Sequence, residues 1–389
     1  MSSTDSDLSS AGADSTPSAG VAPIQGFEQA ATDTEAARHW RPVSDRKISV
    51  GIAGYGVCGF GAAFHFQDHP NVRIAAVADL DPAKGAELAR LCRCATTYPT
   101  CEELIADDSL EAVFVATDAP SHARLAIAAL QAGKHVASAV PAVFGSLEEA
   151  DALFAAACSS DRHYMMFETS YFHHDLYCMR EMYRQGDLGE VIYAEGEYWH
   201  YFGTPLAAHR GWRTGLPPQW YPTHSNAYYT GVTGGSFTEV SCMGMPSALE
   251  HLQPENNAYN NPFGTEIALF RTSEGGMARM AVSWDTPGEG GERGRIRTRQ
   301  GTYYGEFQSG HDAGAVAELS RPPLPPGVDA GGHGGSHGYL MSEFVEAILM
   351  DRTPLIDVAQ ALNMTVGGIV AHESALKGGE LLKIPQYAL

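Results

Sequence analysis

Residues 47–60 read Lys-Ile-Ser-Val-Gly-Ile-Ala-Gly-Tyr-Gly-Val-Cys-Gly-Phe, and a second apolar run from Val72 to Ala78 ends in Asp79. The run Ile48 to Ala53 has the length and composition of a buried strand. The glycines Gly54, Gly56 and Gly59 follow at once, then a helix-compatible stretch from Gly61 to Phe66, and Asp79 lies 20 residues beyond Gly59. Strand, glycine turn, helix, second strand and terminal acid in that order form a dinucleotide-binding fingerprint. Gly54 is expected to make the tight turn, Gly56 to let backbone approach a pyrophosphate, and Gly59 to let helix and strand pack closely. The helix N-terminus would face the phosphates, and Asp79 the ribose hydroxyls. The expected cofactor is NAD rather than NADP, because Asp79-Leu80-Asp81 offers no cation or serine to a 2′-phosphate.

Beyond Asp79, helical patterns at 83–91, 102–106, 123–132 and 148–157 alternate with apolar strands at 112–116 and 135–137. This alternation implies right-handed crossovers and a doubly wound parallel sheet. From about Met165 the texture changes: aromatic residues, histidines and glycines become dense. Strand-like runs at Val191–Trp199, Thr265–Arg271 and Met277–Trp284 suggest one large antiparallel sheet. A Pro- and Gly-rich loop at Arg321–Gly335 precedes helices at Tyr339–Met350 and Val358–Leu376. The expected fold is therefore α/β, with a Rossmann domain over 47–165 and a substrate-binding and oligomerisation α/β domain over 166–389. Met1 to Gly20 is mostly Ser, Ala, Asp, Thr and Gly, so residues 1–46 are read as a disordered tail. The tail has no basic or apolar region typical of a secretory signal, and no segment has the apolar length of a membrane span.

Seven cysteines, an odd number, suit a reducing cytoplasm, and the formal net charge of −21 argues against nucleic acid or an anionic membrane as partner. The five lysines are Lys47, Lys84, Lys134, Lys377 and Lys383, so the whole region 135–376 offers no amine as a general base. Proton transfer then falls to His, Tyr, Asp or Glu. His224, in Tyr221-Pro222-Thr223-His224, is the first choice, since imidazole titrates near neutrality. Tyr221 stands three residues away. One of Tyr171, His173 and His174 is expected to line the pocket, and the Gly332–Gly335 stretch with His333 and His337 could fold over it. Trp212-Arg213 could contact cofactor or a sugar hydroxyl. No metal is expected: His200, His224 and Glu239 with His333 or His337 lack the spacing that puts two ligands on one element.

Together the Gly54–Gly59 fingerprint, Ala116-Thr117 with His122, Gly133-Lys134-His135-Val136 and the ending Glu373-Ser374-Ala375 to Ile384-Pro385 resemble the Gfo/Idh/MocA oxidoreductases over residues 47–389. The resemblance implies nicotinamide chemistry on sugars or cyclitols, a C-terminal α/β domain with an open sheet, and homo-oligomers through that sheet. The family's usual Glu-Lys-Pro is Ala139-Val140-Pro141 here, and its downstream histidine falls near Met243. Val140-Pro141, Tyr221-Pro222-Thr223-His224 and Met165-Met166-Phe167-Glu168 look instead like the branch of NAD-dependent glycosidases, glycoside hydrolase family 109. That likeness implies His224, Tyr221 and Tyr171 as catalytic residues. It implies Gly54, Tyr55, Gly56, Val57, Cys58, Gly59, Asp79, Thr117, His122, Ala139, Trp212 and Arg213 as cofactor contacts. The expected substrate is a carbohydrate or glycoside, with hydride abstraction from a sugar carbon followed by redox-neutral elimination. The alternatives are a net sugar dehydrogenase and an NAD-binding sensor without chemistry.

Overall fold

The computed structural model describes residues 36–205, 211–305, 307–308 and 319–389. Of the expected tail, residues 1–35 lie outside the described residues. Trp40 already stands edge-on to His69, with ring centroids 6.1 Å apart, and Asn71 Nδ2 donates to the carbonyls of Ser44 and Arg46.

The first sheet contains β1 (Ile48–Ala53), β2 (Val72–Ala78), β3 (Thr97–Tyr98), β4 (Ala112–Val115), β5 (His135–Ser138) and β6 (Tyr164–Met166). Its order is β3-β2-β1-β4-β5-β6 and every pairing is parallel. Helices α1 (Pro82–Leu91), α2 (Cys101–Ile105), α3 (His122–Gln131) and α4 (Leu147–Cys158) make the crossovers. Their starts are written in the sequence: Asp81, Thr100 and Ser146 each accept backbone N–H groups as N-caps. The strand order reverses between β1 and β4, which opens the crevice where such sheets bind ligands. The outer strand β6 is not a free edge, because Met166 N donates to Ile356 O from the far end of the chain.

The second sheet contains β7 (Val191–Trp199), β8 (Phe237–Pro246), β9 (Phe263–Thr272), β10 (Met277–Ser283), β11 (Gly291–Thr298), β12 (Thr302–Tyr303), β13 (Phe307–Gln308) and β14 (Leu382–Lys383). The order is β13-β12-β11-β7-β10-β9-β8-β14, antiparallel except for the β7–β10 pair. One face is covered by α6 (Thr223–Thr233) and α9 (Val358–Leu376), with α5 (His174–Gln185) packed on α6, while the single turn α7 (Gly332–Gly335) and α8 (His337–Met350) join the two halves. The other face carries exposed Met243, Met245, Ile267, Leu269 and Met277. Among the described residues no helix is long and apolar enough to cross a membrane.

The glycine loop departs from expectation. No α-helix follows β1; instead a 3-10 segment, Val57–Ala62, is broken by left-handed Cys58 and Gly59, and a second short turn spans Phe66–Asp68. Four glycines within eight residues, Gly54, Gly56, Gly59 and Gly61, make a regular helix costly here. The close approach assigned to Gly59 belongs to Gly61, where a Cβ would lie 2.2 Å from Gly54 O. Gly59 is required for its φ of +78°.

Candidate active site

Glu168 lies just past the C-terminal end of β6, at the crevice side of the parallel sheet. It caps a 3-10 turn, Thr169–Phe172, by accepting from Ser170 N at 2.9 Å. The other half of the site hangs on the turn before α6. There Gln219 N donates to Glu266 Oε2 at 2.8 Å, while Glu266 Oε1 lies 2.7 Å from His372 Nδ1 on α9. This buried clamp fixes the segment that carries Tyr221 and places His224 in the first turn of α6.

The two halves meet at His224. Its Nδ1 lies 2.8 Å from Glu168 Oε1 and 3.6 Å from Glu292 Oε1, and Glu292 reaches in from β11. A nitrogen facing two carboxylates carries the proton, so the opposite ring nitrogen, Nε2, keeps the lone pair a base needs. Burial disfavours charge on the imidazole, but Glu168 and Glu292 outweigh it and hold His224 above its ordinary value. Burial raises Glu168, and the His224 charge with the hydrogen bonds from His224 and Ser170 brings it below the usual carboxylate range. The rings of Tyr198 and Tyr221 flank His224 at centroid distances of 4.6 and 5.5 Å. Arg213 Nη2 donates to Tyr221 OH at 2.8 Å and the guanidinium lies over that ring at 4.5 Å. Burial raises the Tyr221 phenol and Arg213 offsets only part of it.

Ser170 Oγ donates to Glu292 Oε2 at 2.5 Å, and His173 Nε2 lies 3.4 Å from that oxygen. His173 is therefore the member of the 171–174 group that reaches the cluster. Tyr171 is turned elsewhere: Arg180 covers its ring at 3.8 Å, its carbonyl accepts from Arg180 Nη1, and its edge meets Gly231. His174 faces Cys178 Sγ. The His333 and His337 rings meet at 2.8 Å between Nδ1 and Nε2, and His337 Nδ1 faces Ala63 O at 3.1 Å, so this loop does lie against the glycine loop. Burial, with His337, His224 and His173 close by, drives His333 well below its ordinary value.

The cofactor cradle is made of backbone. Gly54 and Gly56 have φ of +102° and +68°, and a Cβ on either would meet Ala116 O or Phe60 Cβ at 2.8 and 2.9 Å. Asp79 Oδ2 accepts from Tyr55 N and Oδ1 from Asp81 N, both at 2.9 Å, so the acid also braces the loop while keeping lone pairs for ribose hydroxyls. A glycine-rich loop beside a strand-end carboxylate fits a dinucleotide pyrophosphate and ribose. Val57 is partly buried and Cys58 exposed on the same loop. His122 plays a different part from a direct contact. One ring nitrogen faces Pro141 O at 3.0 Å and the other Thr117 O at 3.2 Å; burial favours the neutral ring, whose one N–H donates to one of these two carbonyls. Ala139 is buried, with its N–H donated to Val115 O. Trp212 packs edge-on to Phe144 at 5.8 Å, beside Tyr221.

Among the described residues, Glu168, His224 and Glu292 are the one group whose donor atoms lie close enough to share an ion, within 4.8 Å. The 2.8 Å between His224 Nδ1 and Glu168 Oε1 is a hydrogen-bond spacing. Glu239, weighed as a ligand, pairs with Arg271 on β9 instead. Glu292 carries no sequence signal: it stands in Gly290-Gly291-Glu292-Arg293-Gly294, which has no motif and no periodicity.

Residues 48–168 match the family model for the GFO_IDH_MocA oxidoreductase family, NAD-binding Rossmann fold. The glycosyl hydrolase family 109 protein 1 of Bacteroides fragilis (strain YCH46) is 32% identical over 162 residues, which is 39% of this chain and 35% of that protein. The match thus spans about a third of that relative's length. The glycosyl hydrolase family 109 protein of Saccharopolyspora erythraea is 24% identical, with 87% of this chain and 83% of that one covered. Among solved structures, levoglucosan dehydrogenase in complex with NADH and levoglucosan superposes with a TM-score of 0.72 at 18% identity, over 88% of this chain and 100% of that one. The apo scyllo-inositol dehydrogenase from Lactobacillus casei gives 0.69 at 16%, over 88% and 99%; at such identities both attest the fold. With the glycine cradle and the 3-2-1-4-5-6 sheet, residues 48–168 form the NAD-binding Rossmann unit that the GFO_IDH_MocA family model describes, and the chain is similar to the glycosyl hydrolase family 109 proteins.

Proposed function

We propose that the protein is an NAD-dependent enzyme acting on a carbohydrate or glycoside, with His224 as the group that accepts a sugar hydroxyl proton. The observation that carries this is the imidazole held by Glu168 at the C-terminal end of the last parallel strand, between Tyr198 and Tyr221. Bound NAD supplies a hydride acceptor that can later give the hydride back. The Gly54–Gly61 backbone and Asp79 hold it; Arg213 and Tyr221 orient the sugar; His224 takes and returns the proton. The family 109 relatives, and the levoglucosan and scyllo-inositol dehydrogenases of the same fold, favour a polyol ring as substrate.

The finer reading is a redox-neutral cleavage. Oxidising C3 of the sugar makes the C2 proton acidic; its loss expels the group at C1, water adds, and the hydride returns to C3. The absence of any lysine between 135 and 376 and the Tyr221-Pro222-Thr223-His224 segment separate this chain from the lysine-bearing dehydrogenases it resembles. The test uses levoglucosan, scyllo-inositol and 4-nitrophenyl glycosides in D₂O, with absorbance followed near 340 nm and product examined by NMR. Deuterium at C2 without net NADH supports cleavage; stoichiometric NADH with a released ketone makes it a dehydrogenase; no reaction with bound NAD points to a sensor. The exposed apolar residues Met243, Met245, Ile267, Leu269 and Met277 on the open sheet face support a homo-oligomer formed there, which analytical ultracentrifugation reads directly.

A further inference from the structure

Of the two carboxylates at His224, one leads nowhere and the other leads outward. Glu168 is fully buried: its Oε1 takes His224 Nδ1 and Ser170 N, while its Oε2 has no hydrogen-bond partner among the described residues. Glu292 has a partner on its far side: Oε1 faces His224 Nδ1 at 3.6 Å, and Oε2 faces His173 Nε2 at 3.4 Å. Side-chain exposure rises along this path, from 4% at His224 to 5% at Glu292 and 16% at His173. Ser170 holds the path in register, since its N–H binds Glu168 while its Oγ donates to Glu292 Oε2 at 2.5 Å. His173 Nε2 is buried and makes no hydrogen bond among the described residues, so it is available to Glu292. Gly334 packs on the same ring, where a Cβ would lie 2.9 Å from His173 Cδ2.

We propose that Glu292 and His173 form a proton relay that connects His224 to the solvent side of the site. The inference rests on the reading of His224 as the proton acceptor. In the forward direction the substrate O–H bond breaks and its proton joins His224 Nε2. The Nδ1–H bond then breaks toward Glu292, whose carboxylate carries the proton to His173 Nε2, and the other ring nitrogen of His173 releases a proton to water. No electrons are gained or lost in these steps. Spacings of 3.4 and 3.6 Å are loose, as catalytic hydrogen bonds commonly are before a ligand closes the site. Emptied through Glu292, His224 is left neutral with the substrate's proton on Nε2, and the same path run in reverse restores the Nδ1–H form when that proton is handed back.

Other titratable groups face the relay: Glu168 lies 2.8 Å from His224 Nδ1, and Asp175, raised by burial, also feels the charge of His173. Tyr198 stands opposite Glu292 in the β7–β11 register, its phenol raised by burial. Tyr228 is likewise raised by burial and by Asp175 and Glu292, and its OH donates to the Glu292 carbonyl. Arg213 is engaged by Tyr221, and His333 is neutral beside His337.

The test does not need a substrate. In the full chain saturated with NAD, the His224 Nδ1 proton, locked between carboxylates, is followed by NMR and its exchange rate with water measured. Glu292→Gln and His173→Phe are each expected to slow that exchange by roughly 10²-fold while NAD affinity is kept. A merely structural role predicts unchanged or faster exchange, because loosening the site admits water. Either of those results in a variant that still binds NAD overturns the relay. Should Glu292→Gln fail to fold, His173→Phe, nearer the surface, decides the same question. If no sugar is ever turned over, the catalytic reading falls while this measurement still decides the relay.

Discussion

His224 is pulled by two opposing influences, burial against the charge and carboxylates for it, and the carboxylates win. As the proposed base it works only when neutral, so kcat/KM should rise with pH through a raised value rather than near 6.5. Removing a carboxylate removes support for the imidazolium: Glu168→Gln should move the acidic limb of the pH profile to lower pH. A profile that stays in place would mean Glu168 does not act on His224. His224→Ala should lower turnover about 10²–10⁴-fold with NAD affinity nearly unchanged, as isothermal titration would show. Asp79→Ala should narrow the preference for NAD over NADP, because the carboxylate repels a 2′-phosphate. It should also weaken NAD itself, since Asp79 braces Tyr55 N; equal titration curves for mutant and wild type would contradict this. The residues that sequence could name are those set in short motifs: Asp79, Tyr221, His224. Glu292 could not be named, since it arrives from β11, 122 residues from the serine it binds. Tyr171 and His173 could not be told apart in the sequence, because the turn at Thr169–Phe172 decides which of them points inward.

At the scale of elements, β1, β2, β7 and α9 coincide with the apolar runs that predict them, because each is a long strand or helix with clear caps or breakers. Helix α6 is invisible in the sequence for a physical reason. Nearly every side chain from Thr223 to Val232 is buried, so it has no polar face and no amphipathic period. The glycine loop supplies a prediction of its own. Gly61→Ala should destabilise the protein by about 1–3 kcal/mol and impair NAD binding, because its Cβ has no room beside Gly54 O. At Gly133, with φ of +71° and nothing within 4 Å, the same change meets only backbone strain. Thermal melts with and without NAD compare the two; equal effects would deny Gly61 its role.

On the scale of the whole molecule, several histidines are folded in neutral form. Burial pushes His69 down to about 4, and His135 and His337 each to about 3. Below about 6.5 the unfolded chain takes up protons that these folded sites refuse, so stability falls with pH, by roughly 2 kcal/mol per site between pH 6.5 and 5. His224 works in the opposite sense, stabilising at low pH and losing that contribution as pH rises through its raised value, but His122, His163 and His333 are also lowered by burial and add to the first three. Calorimetry should therefore show Tm dropping from pH 7 to 5, and a flat or rising Tm would refute the neutral-histidine explanation. Both sheets and their classes were legible, since strand alternation survives burial. Their junction was not, because it is built from contacts between segments far apart in sequence.

The bond from Met166 N to Ile356 O has a consequence for how the protein can be divided. It covers the outermost strand of the parallel sheet with chain from the other end of the sequence. A fragment ending near residue 165 would keep the fingerprint and lose that cover, baring the apolar strand edge that Tyr164 and Met165 form beside Val136 and Ala137. Such an edge is a template for strands of other copies. Such a fragment is expected to self-associate through this edge where the full chain does not, so the segment around Ile356 serves solubility as well as the fold.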